Sequence, residues 1–219
     1  MFTEAQPGRR CFQRQAEHDS CEESADEAQC LPRWRSRVAR AAATHECRGL
    51  ACQFVLDVDA FDLDGRKFEV QNYLDQKKYS ALVFVAPDCP LCIASVPELK
   101  SIHESFKGTD AQLLLVFSGN YFSEVQVSKF CETYLQGIPA VMDLKCDLAA
   151  KLHVEVTPEA VVTDSNGNIL YQGLIDDRSA DVGVKRQVVG HYYLRQAVSE
   201  LLKGHQPKPP FTQAKGCYI

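Results

Sequence analysis

The residues best suited to chemistry in this sequence are two cysteines separated by two residues, Cys89 and Cys92. They follow an apolar run and precede a helical pattern. Such a pair can close a small disulfide ring, and a helix that begins between the two cysteines directs its unpaired N–H groups and the positive end of its dipole at the first sulfur. This placement can lower the pKa of a cysteine from about 8.5 to between roughly 3.5 and 7.5. We therefore predict that Cys89 is the nucleophile of a redox site and that Cys92 is the resolving thiol.

Two neighbours of the pair are candidates for tuning it. Asp88 places a carboxylate beside the predicted thiolate, which disfavours the charged sulfur, but aspartate is equally common as a solvated turn or helix-cap residue. Pro90 falls in the first turn of the predicted helix, where its missing N–H costs little, so it fits both helix initiation and tuning. The pair itself has a plainer interpretation as a structural disulfide or two buried thiols, but a pair at a strand-to-helix turn is more often redox-active.

Hydrophobic patterns predict the elements that position the pair. Residues 81–85 form a continuous apolar run, typical of a central strand that is covered on both faces. Residues 90–107 carry apolar side chains at helical spacing, and Pro97 is expected to kink this helix because it interrupts the hydrogen-bond ladder. The pair therefore lies between the carboxyl end of a buried strand and the start of a helix.

Further strands and helices alternate along the chain. Turns are predicted at Asp64-Gly65 and at 165–168, each within an antiparallel hairpin, and residues 174–190 are predicted to be a loop. Strands that alternate with helices imply parallel crossovers and an α/β fold. The remaining predicted strands are 54–58, 68–70, 111–117, 139–142, 159–163 and 169–172, and the remaining helices are 70–78, 123–135, 147–153 and 191–202.

Length and composition favour one well-buried domain with extensions. The chain has 219 residues, of which 45% are hydrophobic and 24% are charged. Its net charge of −5 is modest, so nothing draws it to nucleic acid or anionic lipid. No apolar run approaches the ~20 residues of a membrane-spanning helix. We therefore expect neither a nucleic-acid partner nor a membrane span.

The first part of the chain differs in composition from the rest. Residues 1–50 contain arginines but no lysine, and their acidic residues cluster between 17 and 27. They include no apolar stretch of the ~7–15 residues that a secretory signal needs. We interpret 1–50 as a poorly ordered extension, 51–204 as the folded domain and 205–219 as an irregular, proline-rich tail.

The other eight of the ten cysteines give no pattern of their own. Five lie within the first 52 residues at irregular spacing, and no second Cys-x-x-Cys completes a zinc site, so we expect no metal or other cofactor. Cys131 and Cys146 are predicted to be buried small hydrophobes, with one of them as an auxiliary resolving thiol as the alternative. Cys217 is interpreted as a spare cysteine, although a mobile tail can reach the active site.

The remaining acidic and histidine residues have no spacing that marks an acid-base group. Glu98, His103 and Glu104 are expected on a solvated helix face. His153 and His191 are expected to be structural or exposed. None of them is predicted to be catalytic.

Several motifs taken together resemble the thioredoxin superfamily. Within it, residues 53–203 are similar to the redoxin branch, which includes the alkyl hydroperoxide reductase and thiol-specific antioxidant (AhpC/TSA) group and the periplasmic thiol-disulfide oxidoreductases. The matching motifs are Cys89-Pro90-Leu91-Cys92, Pro97 five residues later, Val156-Thr157-Pro158, and Asp164-Ser165-Asn166-Gly167-Asn168 leading to Gly173.

The resemblance implies a thioredoxin-like three-layer fold, with a central mixed β-sheet, helices on both faces and a redoxin-type β-α insertion over residues 121–142. It also implies a cis Thr157-Pro158 peptide that packs against the sulfur pair and offers its backbone to an incoming substrate chain. The runs at 176–178 and 216–217 resemble marks of a bacterial subgroup of redoxins, with no mechanism that the sequence supplies.

Two positions depart from the patterns of the superfamily. Thioredoxins often place a buried acid six residues before the first cysteine, where this chain has Val83, so proton transfer must use another group or water. Peroxiredoxins place a threonine or serine three residues before the peroxidatic cysteine, where this chain has Ala86. The second departure argues against efficient reduction of peroxides.

These observations favour a thiol-disulfide oxidoreductase that exchanges disulfides through Cys89 and Cys92 with thiol or disulfide protein substrates and an unidentified electron donor or acceptor. One alternative is a thiol peroxidase, in which Cys89 forms a sulfenic acid that Cys92 resolves. Another is a Cu(I)-binding or non-enzymatic module, although copper-delivery relatives have a longer Cys-x-x-x-Cys spacing and a dedicated histidine. Similar proteins often act outside the cytoplasm, but this sequence shows no export signal.

Overall fold

A computed structural model gives the structure of the chain and describes residues 56, 58–181, 184–185 and 189–219. The extension predicted over 1–50 lies outside the described residues, and the domain boundaries stay predictions. In chain order the elements are β1 (Ala60–Phe61), β2 (Lys67–Phe68), α1 (Val70–Leu74), β3 (Tyr79–Phe84), α2 (Pro90–Phe106), β4 (Ala111–Ser118), α3 (Glu124–Tyr134), β5 (Ala140–Asp143), α4 (Asp147–Lys151), β6 (Val156–Thr157), β7 (Glu159–Asp164), β8 (Ile169–Gly173), β9 (Ser179–Asp181), β10 (Val184–Lys185), α5 (Tyr193–Leu202) and β11 (Cys217–Tyr218).

Seven strands form the main sheet, in the order β2-β1-β5-β4-β3-β7-β8. The central strand β3 is buried along its whole length, as its continuous apolar run predicts. It pairs in parallel with β4 on one side and antiparallel with β7 on the other, and β4 pairs in parallel with β5. The sheet is therefore mixed, with the parallel crossovers that the alternating pattern predicts.

The sheet separates two hydrophobic clusters because successive side chains of a strand point to opposite faces. One cluster combines Val83, Cys89 and Cys92 with apolar residues of α2, α3 and α5. The other combines Leu82 and Phe84 with apolar residues of α1 and α4. Helices thus cover both faces of the sheet, and Cys89 and Cys92 both lie on the face that α2, α3 and α5 cover.

Local signals explain where the two longest helices on the first face begin. Cys89 is the N-cap of α2, Pro90 is its first residue, and Pro97 lies within it. Ser123 is the N-cap of α3 and forms a capping box with Gln126, so the backbone N–H groups of both residues are satisfied.

Three sequence-based predictions of local structure were wrong. The entry strand does not run through Leu56 and Val58, because the pairing residues are Ala60–Phe61, although the antiparallel hairpin at the Asp64-Gly65 turn is confirmed. The loop predicted over 174–190 contains the antiparallel pair β9 and β10. The segment predicted to be an irregular tail contributes β11, which pairs with β6.

None of the helices in the described part of the chain is both long enough and apolar enough to cross a membrane.

Candidate active site

The polypeptide turns sharply between β3 and α2 and so places Cys89 at the start of the helix. Val85 extends the line of β3 by donating its N–H to the Val116 carbonyl at 2.9 Å, and Cys89 N–H closes a turn onto the Ala86 carbonyl at 3.2 Å. Cys89 has extended backbone angles as the N-cap, and the N–H of Ile93 bonds to its carbonyl at 3.2 Å. The Cys89 sulfur therefore lies at the amino end of α2, as predicted.

The environment of Cys89 favours the thiolate. Hydrogen bonding from the Cys92 side chain contributes most to lowering its pKa, to about 5, and the Cys217 thiol and the backbone N–H groups of Cys92 and Leu91 add to this effect. Burial acts in the opposite direction, since the residue has 0% of its surface exposed, but the hydrogen bonds outweigh it. A sulfur in these surroundings is ionised at neutral pH.

Cys92 has the opposite tendency. Burial raises its pKa well above the usual range, and the neighbouring Cys89 sulfur raises it further. The backbone N–H of Ala86 donates to the Cys92 sulfur at 3.3 Å and offsets part of this effect. The pair therefore divides into a thiolate and a thiol that keeps its proton.

The Thr157-Pro158 segment, where β6 meets β7, lies against the sulfur pair. The Thr157-Pro158 peptide bond is cis, as the resemblance implies, and both residues are buried. The Thr157 carbonyl oxygen lies 3.3 Å from the Cys89 sulfur, which donates to it in the thiol form. This carbonyl therefore contacts the Cys89 sulfur directly.

A third cysteine, Cys217, contacts the Cys89 sulfur. Cys217 in β11 pairs with Thr157 in β6, and the Cys217 sulfur donates to the Cys89 sulfur at 3.1 Å. The interpretation of Cys217 as a spare tail cysteine is therefore wrong, and the alternative that the tail reaches the active site describes its position. The preceding Gly216 is a further sequence signal of this close approach, since a Cβ atom at position 216 would collide with the Thr157 carbonyl group.

Four further residues near the pair were singled out in the sequence: the predicted tuning residues Asp88 and Pro90, and Val83 and Ala86, which depart from the family patterns. Asp88 and Pro90 are exposed at the turn, and their tuning roles stay predictions. Val83 is completely buried on the same side of the sheet as the cysteines and supplies no acid there. Ala86 supplies its backbone N–H to Cys92 and has no hydroxyl group.

Two ion pairs, Arg195–Glu98 and Arg178–Asp176, contact α2 near the cysteine pair. Glu98 is only 3% exposed and accepts two hydrogen bonds from the Arg195 guanidinium, so its predicted place on a solvated face is wrong. Arg178 donates to the Ala94 carbonyl at 3.1 Å, next to the carbonyl of residue 93 that Pro97 leaves without a helical donor. Asp176 lies 3.5 Å from the same guanidinium. Arg178 of the 176–178 run thus contacts the helix backbone one turn before Pro97.

Glu159 is the buried acid nearest in sequence to the cis proline. Burial raises its pKa to about 7, although Gln172 donates to its carboxylate at 2.8 Å. Glu159 lies opposite Phe84 in the β3–β7 register, and Phe84 belongs to the cluster on the far side of the sheet. Its side chain therefore faces away from the sulfur pair.

The other two cysteines of the described residues, Cys131 and Cys146, lie apart from the three-sulfur cluster in their chemistry. Cys131 is buried, as predicted, and burial raises its pKa to about 11. Cys146 is disulfide-bonded, which corrects its prediction as a simple buried thiol. Among the residues that the structure describes, no group of three or more histidine, cysteine or acidic side chains is arranged to hold a metal ion.

Comparisons with known proteins agree with this architecture. The sequence profile of the AhpC/TSA family matches residues 50–172, which is more than half of the chain. No curated protein sequence matches the chain.

Among solved structures, the chain is similar to a hypothetical protein from Sinorhizobium meliloti 1021, with 22% sequence identity, a TM-score of 0.63 and coverage of 73% of this chain and 87% of that protein. An uncharacterized conserved protein from Geobacillus kaustophilus has 19% identity, a TM-score of 0.62 and coverage of 74% and 87%, respectively. The exposed lipoprotein thioredoxin of Streptococcus pneumoniae strain TIGR4 has 21% identity, a TM-score of 0.48 and coverage of 66% and 96%. The predicted α/β, three-layer fold is confirmed, and the chain belongs to the AhpC/TSA family of thioredoxin-like redoxins.

Proposed function

We propose that this protein is a thiol-disulfide oxidoreductase that works through Cys89 and Cys92. The observation that carries the proposal is the difference in pKa between the two thiols. Hydrogen bonds lower the pKa of Cys89 to about 5, while burial raises the pKa of Cys92. A thiolate is the attacking species in disulfide exchange, and a thiol of low pKa is also the better leaving group. Membership of the AhpC/TSA family supports a redox function.

In the reducing direction, the Cys89 thiolate attacks one sulfur of a substrate disulfide. A bond forms between that sulfur and Cys89, the substrate disulfide breaks, and the second substrate sulfur leaves as a thiolate that takes up a proton. Cys92 then loses its proton and attacks the Cys89 sulfur, which closes the Cys89–Cys92 disulfide and releases the first substrate sulfur. The reverse sequence oxidises a substrate dithiol with the same bonds and electrons.

The Thr157-Pro158 segment supports a polypeptide as the substrate. The Thr157 carbonyl lies 3.3 Å from the Cys89 sulfur, and in this structure β11 of the same chain occupies the edge of strand β6 at Thr157 as an antiparallel strand. A chain paired with this edge brings a cysteine to the reacting sulfur, as β11 does with Cys217. We therefore propose protein thiols and disulfides as substrates, and a second dithiol protein as the electron donor or acceptor.

Covalent capture tests this function in either direction. The Cys92→Ser/Cys217→Ser variant lacks the two thiols that lie beside Cys89 in the described part of the chain, and insulin supplies accessible protein disulfides as the probe. We expect a covalent adduct on non-reducing gels, with an insulin half-cystine attached to Cys89 by peptide mass mapping.

The matched control is Cys89→Ser/Cys217→Ser, which retains Cys92 and should form no adduct at Cys92 because burial keeps this thiol protonated. Further substitution of Cys131 by serine should leave capture unchanged, since this buried thiol lies outside the pair. Absence of any adduct through Cys89 in a folded variant would contradict the proposed function.

A further inference from the structure

The segment that follows α5 is fastened to the main sheet before it reaches the sulfur pair. The Gln172 N–H donates to the Pro210 carbonyl at 3.1 Å, and the Thr212 N–H donates to the Gln172 carbonyl at 3.0 Å. The Thr212 hydroxyl lies 2.8 Å from the Tyr171 hydroxyl and accepts from the Leu174 N–H at 2.8 Å. These contacts hold the segment along the outer strand β8, so its course towards the active site is specified.

The same segment is held again on the far side of Cys217. The Ile219 N–H donates to the Glu155 carbonyl at 3.1 Å, and the Ile219 side chain is 4% exposed within the second hydrophobic cluster. Between the two attachments, Gly216 passes so close to the Thr157 carbonyl group that there is no room for a Cβ atom. The fold therefore presents the Cys217 side chain to the reacting sulfur as a paired strand.

The accessibility of the three sulfur-bearing residues differs. Cys89 is 0% exposed and Cys92 is 1% exposed, whereas Cys217 is exposed. With β11 in place, a large substrate meets Cys217 before it meets the buried pair. The Cys217 sulfur is also 3.1 Å from Cys89, close enough to pass a disulfide between them.

We propose that Cys217 is a third redox-active residue, which carries disulfide exchange between the buried Cys89–Cys92 pair and substrates outside. This proposal rests on the proposed function of the pair. In the oxidised protein, the Cys217 thiolate attacks the Cys89 sulfur of the Cys89–Cys92 disulfide. The Cys89–Cys217 bond forms, the Cys89–Cys92 bond breaks, and Cys92 leaves as a thiolate that takes up the proton that Cys217 gave up.

An external thiolate then attacks the Cys217 sulfur and displaces Cys89. Cys89 is the favoured leaving group because its pKa is lowered to about 5, and thiols of low pKa leave faster. A second thiol of the same substrate attacks its own sulfur in the mixed disulfide and releases Cys217. The substrate dithiol is thereby oxidised to a disulfide while the protein gains the two electrons, and every step is reversible.

The test uses oxidised glutathione as a small disulfide probe on the full-length chain. In Cys92→Ser, Cys89 first accepts one glutathione, and Cys217 then displaces it to leave an internal Cys89–Cys217 disulfide. A tethered thiol acts at an effective concentration on the order of mM, so this closure should outpace attack by glutathione at micromolar concentration. In Cys92→Ser/Cys217→Ser, the glutathione should stay on Cys89. Peptide mass mapping distinguishes the two products.

The possible results separate the two proposals. If both variants retain glutathione on Cys89 to the same extent, the role of Cys217 is overturned while the function of the pair stands. If neither variant accepts glutathione at Cys89, the proposed function fails and the role of Cys217 fails with it.

Replacement of Gly216 tests whether the strand presents the thiol. In the Cys92→Ser background, Gly216→Ala keeps every remaining cysteine but forces the segment away from Thr157, so closure of the internal disulfide should slow by roughly tenfold or more. Gln213→Ala at an exposed position of the same segment is the matched control and should leave the rate unchanged. Equal rates for Gly216→Ala and its parent would overturn presentation by β11.

Discussion

Arg195 in α5 donates two hydrogen bonds to Glu98 in α2, one from Nε to Oε1 at 3.0 Å and one from Nη2 to Oε2 at 2.7 Å. The Glu98 side chain is 3% exposed, whereas the Arg195 side chain is 38% exposed. This pair joins the last helix to α2, at whose start Cys89 and Cys92 lie. Its main effect on the protein is therefore expected in stability and in the placement of α2.

Removal of this partner should destabilise the fold. Arg195→Ala leaves the buried Glu98 carboxylate without its cation, and we expect a loss of roughly 2–3 kcal/mol in the free energy of unfolding, below the ~3–5 kcal/mol of a fully buried pair because water screens Arg195. Urea denaturation of the reduced protein measures the loss. Arg195→Lys should recover part of it, and a change within ~0.5 kcal/mol for Arg195→Ala would contradict the role assigned to the pair.

The ionisation of Cys89 should be visible by thiolate absorbance in the ultraviolet. We expect a titration with a midpoint near pH 5 that is lost in Cys89→Ser, because hydrogen bonds lower the pKa of this thiol to about 5. Cys217→Ala removes one of these hydrogen bonds and should raise the midpoint, whereas Cys217→Ser retains a donor and should raise it less. A midpoint at or above ~8.5, the ordinary value for cysteine, would contradict the lowered pKa.

The same shift has a defined effect on stability. The folded-state pKa of Cys89 lies below its unfolded value of about 8.5, so the unfolded state binds more protons between these values. The contribution of Cys89 to the stability of the reduced protein is full above about 8.5 and is lost as the pH falls towards 5. The difference in unfolding free energy between the parent and Cys89→Ser should therefore grow with pH across this range, and a flat difference would contradict it.

Glu159 should give a pH dependence of the opposite sign. Burial raises its pKa to about 7, above the ordinary value of about 4.3, so the folded state binds the extra proton and stability falls as the pH rises between these values. Glu159→Gln keeps the oxygen that accepts from Gln172 and removes the charge. The variant should gain on the order of 3 kcal/mol over the parent between about pH 4.3 and 7, and thermal unfolding across this range checks the trend.

Hydrogen peroxide should oxidise the reduced protein slowly. Ala86 has no hydroxyl group to orient a peroxide, and its backbone N–H already donates to Cys92. We expect a stopped-flow rate constant within about tenfold of that of a free thiolate, because nothing beyond the lowered pKa of Cys89 promotes the reaction. A rate several orders of magnitude higher would favour the thiol peroxidase alternative over disulfide exchange.

The parts of the fold that local chemistry determines were predictable from the sequence. The apolar run of β3 indicates a strand buried on both faces, and Pro90 and Ser123 mark helix starts within one residue. The positions of Cys89 and Cys92 at the strand-to-helix turn follow from these signals alone. Each of them depends on residues that are near neighbours in the chain.

Features that depend on distant residues were not predictable in this way. Glu98 looks like a solvated helix residue until Arg195, 97 positions later, packs beside it. Cys217 looks like a spare thiol until β11 brings it to Cys89 across 128 positions. Both contacts arise from how the segments after β8 fold back on the sheet, and no periodicity or spacing in the sequence records that path.

Among the described residues, strand β11 brings a third sulfur to the Cys89–Cys92 pair. A site of two cysteines has no nucleophile left once its disulfide forms, and it waits for an outside thiol to reopen it. Three sulfurs that share one disulfide always leave one thiol over, and here the spare sulfur is held 3.1 Å from its target by backbone pairing. Under the proposed role of Cys217, the oxidised protein keeps an internal attacker, so its disulfide can migrate before any partner arrives.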